Sequence, residues 1–101
     1  MKTRLELHEK LVELLGNKNV YYQPPTNLAM KYPCIRYKLI GVDKLFADNV
    51  IYEKKKKYEL IVLSKEPDHP SIDKILELPH TAFMDTYTSD GINHTILSII
   101  I

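Results

Sequence analysis

The chain has 101 residues, 45% hydrophobic and 27% charged, with a formal net charge of +1. That length gives one domain, residues 1–101, with a single modest core burying roughly 60–70% of the unfolded surface. The composition excludes wholesale disorder, and the near-neutral balance gives no global preference for nucleic acid. The one cysteine, Cys34, excludes an intramolecular disulfide and fits a reducing compartment. No apolar run approaches the ~18–20 residues that span a bilayer, and the charged N-terminus lacks a signal peptide's apolar stretch. A soluble protein made in the cytoplasm, without membrane association, is expected.

Thr3 to Leu15 predicts a helix. Leu7, Leu11, Leu14 and Leu15 recur at three- and four-residue steps with Val12 beside them; Thr3 stands where an N-cap belongs and Gly16 just past the end. Glu6 and Lys10 form a favourable i,i+4 pair, and His8 falls on the polar side. Val20 to Tyr22 reads as a short strand ended by Pro24-Pro25. Tyr21 and Tyr22 point to opposite faces of it and cannot both join one core. Proline fixes φ and biases the preceding residue to extended backbone, so Gln23-Pro24-Pro25 and Tyr32-Pro33 predict a rigid, exposed connector.

Pro33 to Ile40 predicts a second strand with Ile35, Tyr37 and Leu39 facing inward. Gly41 to Asn49 reads as a loop or wide hairpin connection, with Leu45 and Phe46 an apolar island. Ile51 to Leu63 predicts a long strand, polar in its first half (Glu53, then Lys54, Lys55, Lys56 and Lys57) and apolar in its second. The lysine half should project as part of a hairpin. On a strand, Lys54 and Lys56 face one way and Lys55 and Lys57 the other. Two readings of this run stay open: a solvated edge that resists aggregation, favoured by flanking Glu53 and Glu59, and a basic finger for phosphates.

After the break at Pro67-Asp68-His69, Pro70 or Ser71 opens a short amphipathic helix through Ile72, Ile75, Leu76 and Leu78, stopped by Pro79. Thr81 to Thr88 and Asn93 to Ile101 predict a hairpin turning at Ser89-Asp90-Gly91. The expected fold is α+β: an antiparallel sheet with two helices on one face, in the order α-β-β-β-α-β-β.

Little in the pattern points to catalysis. Gly16, Gly41 and Gly91 are isolated, whereas a phosphate cradle needs clustered glycines. The four histidines lack HxxxH or HExxH spacing and Cys34 has no CxxC partner; a spatial site from His69, His80 and Asp85 is the weaker alternative. Cys34, at a strand start, reads as a structural thiol. No catalytic, cofactor or metal residues are expected, and the protein is not expected to be an enzyme.

Several segments in order, Tyr21-Tyr22-Gln23-Pro24-Pro25, Met30-Lys31-Tyr32-Pro33-Cys34-Ile35, Ala47-Asp48-Asn49 with Tyr52, Pro67-Asp68 with Pro70, Leu78-Pro79 and Asn93-His94, resemble the tail completion or tail terminator proteins of long-tailed bacteriophages, also called minor structural or neck proteins. The chain departs from that pattern at Gly91, where a bulkier apolar residue is expected, and at Met84-Asp85, where a basic one is. The resemblance implies a virion protein of tail or neck, made in the host bacterial cytoplasm. It implies a homo-oligomeric ring, usually a hexamer, that caps the tail tube, meets the tail tube protein and the head–tail connector or stopper, and lets DNA pass through. Tyr21, Tyr22, Gln23, Pro24, Pro25, Ala47, Asp48, Asn49 and Tyr52 are then the expected subunit interface, and Lys54, Lys55, Lys56 and Lys57 the expected channel- or DNA-facing residues. The alternatives are a head-completion (stopper) protein of the neck and a small cytosolic nucleic-acid-binding domain.

Overall fold

The computed structural model describes residues 3–25 and 31–101, so Met30 and the middle of the proline-bounded connector lie outside the described residues. The elements are α1 (Arg4–Leu15), β1 (Val20–Tyr22), β2 (Cys34–Ala47), β3 (Val50–Ser64), α2 (Pro70–Leu76), β4 (Thr81–Ser89) and β5 (Ile92–Ile100). The fold is α+β, with two helices and a mostly antiparallel five-stranded sheet ordered β1-β2-β3-β5-β4.

Local chemistry sets the ends of α1. The Thr3 side chain accepts from the Glu6 amide at 3.2 Å, and Gly16 closes the helix at φ 84° with its amide donating to the Val12 carbonyl. Lys10 pairs with Glu13 at 3.5 Å rather than with Glu6, which reaches Thr3 instead. Leu7, Leu11 and Leu15 are buried, each contributing roughly 1.5–3 kcal/mol relative to exposure. They pack with Ile75 of α2 against Ile35, Tyr37, Tyr58, Leu60, Val62, Leu97 and Ile99. A smaller cluster, Cys34, Ile61 and Leu63, fills the other side of the sheet, with Tyr21, Ile92 and Ile96 packed against it.

Three expectations need correction. The sheet is not wholly antiparallel: β1 runs parallel to β2, Val20 opposite Ile35 and Tyr22 opposite Tyr37. A strand that short, followed by a long connector, can return on either side, so its direction is a non-local choice. Gly41–Asn49 is not a loop. β2 continues to Ala47 and turns through Asp48 and Asn49, both at positive φ (52° and 64°), the geometry of a two-residue hairpin turn. Leu39 does not point into the core but is 37% exposed, because the helices cover the sheet only nearer Ile35 and Tyr37.

The second hairpin turns at Asp90 and Gly91, φ 54° and 75°, as Asp-Gly favours. α2 starts after His69, whose ring nitrogen accepts from the Ser71 amide, with Pro70 in the first turn.

Candidate assembly surface

β5 pairs with β3 from Lys57 to Ser64, and Ile101 just past it exchanges backbone hydrogen bonds with Lys56, whereas β2 and β3 stay paired out to Ala47 and Val50. Beyond Lys56, therefore, β2 and β3 form a two-stranded ribbon, and the molecule measures 52 × 29 × 23 Å. Ile40 and Tyr52 are extra residues at breaks in its register, which add twist. Isolated ribbons are marginal in water, and this one exposes apolar groups: Val42, Phe46 (64%) and Val50 (67%).

The register sorts the ribbon's charges. Val42 sits opposite Lys56 and Lys44 opposite Lys54, so these four share one face; Asp43 and, opposite it, Lys55 lie on the other with Glu53. Lys55 is paired with Glu53 at 3.0 Å. Lys54, Lys55 and Lys56 are exposed and Lys57 half-buried.

The expected interface residues fall into two groups. Ala47, Asp48 and Asn49 form the exposed ribbon tip; the Tyr52 side chain lies outside the described residues. Tyr21 to Pro25 lie beside β2 near Tyr37, ten residues from Ala47, or roughly 30 Å along the strand. Those two groups are not brought together. Both Tyr21 and Tyr22 are half-buried, on opposite sides of the sheet: Tyr22 packs on the main core and Tyr21 on the smaller cluster. Gln23, at φ 43°, donates its amide to the Tyr37 carbonyl at 2.9 Å. With Pro24 it borders an open groove of about 370 Å³ whose other lining includes Arg36, Lys38, Glu59 and Ile61.

Tyr22, Tyr37 and Tyr58 form an aromatic cluster, ring centroids 5.0–6.4 Å apart. The Arg4 guanidinium lies 4.4 Å from the Tyr22 ring centre and donates to the Tyr37 hydroxyl at 3.3 Å. His8 is not a solvated surface residue, as its place on the polar side suggested: it is half-buried and hydrogen-bonded to Tyr37. Burial pushes the Tyr37 and Tyr58 phenols up and lowers the His8 pKa, with Arg4 adding to the latter. Burial raises the Cys34 thiol to about 11, which leaves it un-ionised and a poor nucleophile at neutral pH. Among the described residues no three His, Cys, Asp or Glu side chains gather into a metal-sized group. Among them too, no helix is long and apolar enough to cross a membrane.

Two surface features were missed from the sequence. One is the far edge of the sheet, where β4 has no strand beyond it among the described residues. Phe83 (53%), Met84 (49%) and Tyr87 (46%) are exposed there, and Tyr87 stacks on His94 with centroids 4.6 Å apart. The other is charge segregation. Residues 66–101, from which α2, β4 and β5 are built, hold six acidic residues against Lys74 alone, net −5, so residues 1–65 carry +6. A count by segment rather than by chain would have found it. No protein-family profile matches the chain, and no curated protein matches it.

Proposed function

We propose that this chain is a non-enzymatic, self-assembling virion component: a bacteriophage tail terminator or tail completion protein whose ring closes the head-proximal end of the tail tube and joins it to the connector. The observation that carries the reading is the projecting ribbon, which leaves Val42, Phe46 and Val50 exposed on a marginally stable element. Such an arrangement suits a protein that completes its packing against neighbours. The resemblance of Tyr21–Pro25, Met30–Ile35, Ala47–Asn49 and Tyr52 to that family supplies the biological setting. In this reading the ribbon tip and the Tyr21–Pro25 segment contact other subunits or the tube. Lys54, Lys55, Lys56 and Lys57, split between the two faces of the ribbon, are the residues assigned to the channel through which DNA passes.

The test is coexpression with the tube protein of the same genome, followed by electron microscopy. Tubes of limited length, closed at one end by a ring, are expected. Tubes that grow unchanged and carry no added density would overturn the reading. A ring that binds the connector but not the tube would make the protein a neck stopper instead.

A further inference from the structure

We infer that the outer edge of β2, along the ribbon, takes an extended acidic segment of a different protein as an added strand. This rests on the reading above that the ribbon completes its packing against a neighbour, and it states that neighbour's chemistry. β1 accompanies β2 only from Ile35 to Tyr37. Gln23, at φ 43°, then turns the chain aside, and Pro24 and Pro25 lack the N–H needed to extend the pairing. From Lys38 to Ala47 the outer edge of β2 therefore has no strand beside it among the described residues. That stretch is about 30 Å long, and its alternate residues present backbone N–H and C=O groups, a template for strand addition. The same edge already accepts a strand where β1 ends, the Gln23 amide donating to the Tyr37 carbonyl at 2.9 Å. Just beyond, Gln23 and Pro24 face Lys38 and Leu39 across the open groove of about 370 Å³, which leaves room for the end of a guest strand.

Charge selects the guest. Val42, Lys44, Lys54 and Lys56 share one face of the ribbon, and Phe46 joins them at the next alternate position of β2. Lys44, Lys54 and Lys56 are exposed, and none of them forms an ion pair among the described residues. On the other face the charges offset one another: Lys55 pairs with Glu53 at 3.0 Å, and Asp43 sits opposite Lys55. The three lysines therefore favour carboxylates, while Val42 (42% exposed) and Phe46 (64%) favour apolar side chains. Along β2 the order is Val42, Lys44, Phe46. The matching strand accordingly carries an acidic residue with apolar residues two places to either side, since alternate side chains give an added strand its specificity. A phosphate backbone would satisfy the lysines but has no donors for the C=O groups of the edge. A second ribbon would set lysines against lysines, and like-charge juxtaposition disfavours wrong partners.

Three labelled peptides, each about as long as the free edge, test this by fluorescence anisotropy at low salt. One alternates valine with glutamate and a second valine with lysine. The third is the glutamate peptide N-methylated throughout, which keeps its charges but has no N–H to donate. The glutamate peptide is expected to bind at least tenfold more tightly than either of the others. A variant carrying Lys44→Glu, Lys54→Glu and Lys56→Glu, its folding verified by circular dichroism, should lose at least tenfold for that peptide and gain affinity for the lysine one. Amide hydrogen exchange should slow between Lys38 and Ala47 on binding and stay unchanged in β4. Equal binding of the N-methylated peptide would mean charge attraction without an added strand and would overturn the inference. Tighter binding of a single-stranded oligonucleotide would overturn it in favour of nucleic acid. Protection of the edge that rises with protein concentration alone would do so in favour of a second copy. Failure of the glutamate peptide to bind a chain that still caps tubes would remove only this inference and leave the tail-protein reading standing.

Discussion

The Nδ1 atom of His8 lies 2.7 Å from the hydroxyl oxygen of Tyr37, joining the exposed side of α1 to the centre of the sheet. Arg4 already donates to that oxygen at 3.3 Å. With the neutral His8 ring accepting at Nδ1, the phenol proton has a partner and all three groups are satisfied. Protonating His8 would remove the acceptor and add a cation beside Arg4.

A pH dependence follows from this pair. The His8 pKa is lowered in the folded state, by burial first and Arg4 second. Below its ordinary value of 6.5 the unfolded chain binds more protons than the folded one, so folding weakens as pH falls. The contribution is fully present above 6.5 and is lost as pH drops through the folded value. Urea melts at pH 7.5 and pH 5.0 should show this loss, and H8Q should show less of it. An equal loss in both proteins would assign the dependence to other groups.

Replacing Tyr37 with Phe keeps the ring, 2% exposed in the core, but deletes the hydroxyl shared by Arg4 and His8. A cost of about 1 kcal/mol is expected. Combined with H8Q, it should cost less than the sum of the two single changes, because they break the same bond. Simple additivity in the cycle would mean that the 2.7 Å contact adds no stability.

Cys34 should be unreactive in the native protein. Its side chain is fully buried and its thiol is raised to about 11, with burial the larger cause and nearby Arg36 opposing it. A thiol reagent at pH 8 is expected to label it only in denaturant. Prompt labelling of the folded protein would contradict the packing of Cys34 with Ile61 and Leu63.

The ribbon's turn can be tested apart from the core. Asp48 and Asn49 both hold positive φ, which β-branched residues resist. N49V should cost roughly 1–2 kcal/mol of local stability and D48N with N49G should add some. Hydrogen exchange should change between Val42 and Lys56 while the amides of Leu60 and Val62 stay protected. Equal changes in both regions would mean that ribbon and core unfold as one unit.

Legibility followed locality. α1 could be read because its cap, its leucine spacing and its closing glycine lie within fourteen residues, and the Asp90-Gly91 turn because it is a dipeptide signal. The Asp48-Asn49 turn was visible to the eye but lacks glycine, and the apolar Leu45-Phe46 beside it invited a loop. The direction of β1 was not readable, since Val20 meets Ile35 across a connector that imposes no direction. The same distance hid the tyrosine cluster: Tyr22, Tyr37 and Tyr58 meet only when three strands are aligned. The ribbon was legible as a projecting lysine hairpin; the place of β4 at the sheet's edge was not, because whether a strand is central or peripheral is a property of the whole sheet.

Among the described residues, the fully buried side chains of β2 and β3 stop at Tyr37 and Tyr58, while the ribbon runs on beyond them. Folding consequently constrains the strands up to Tyr37 and from Tyr58 onward more tightly than the arm that runs past them. Substitutions within residues 42–56 should therefore cost the fold less than substitutions among the leucines of α1 and the strands beneath them. Related chains should accordingly keep their interiors and differ most at this protruding arm.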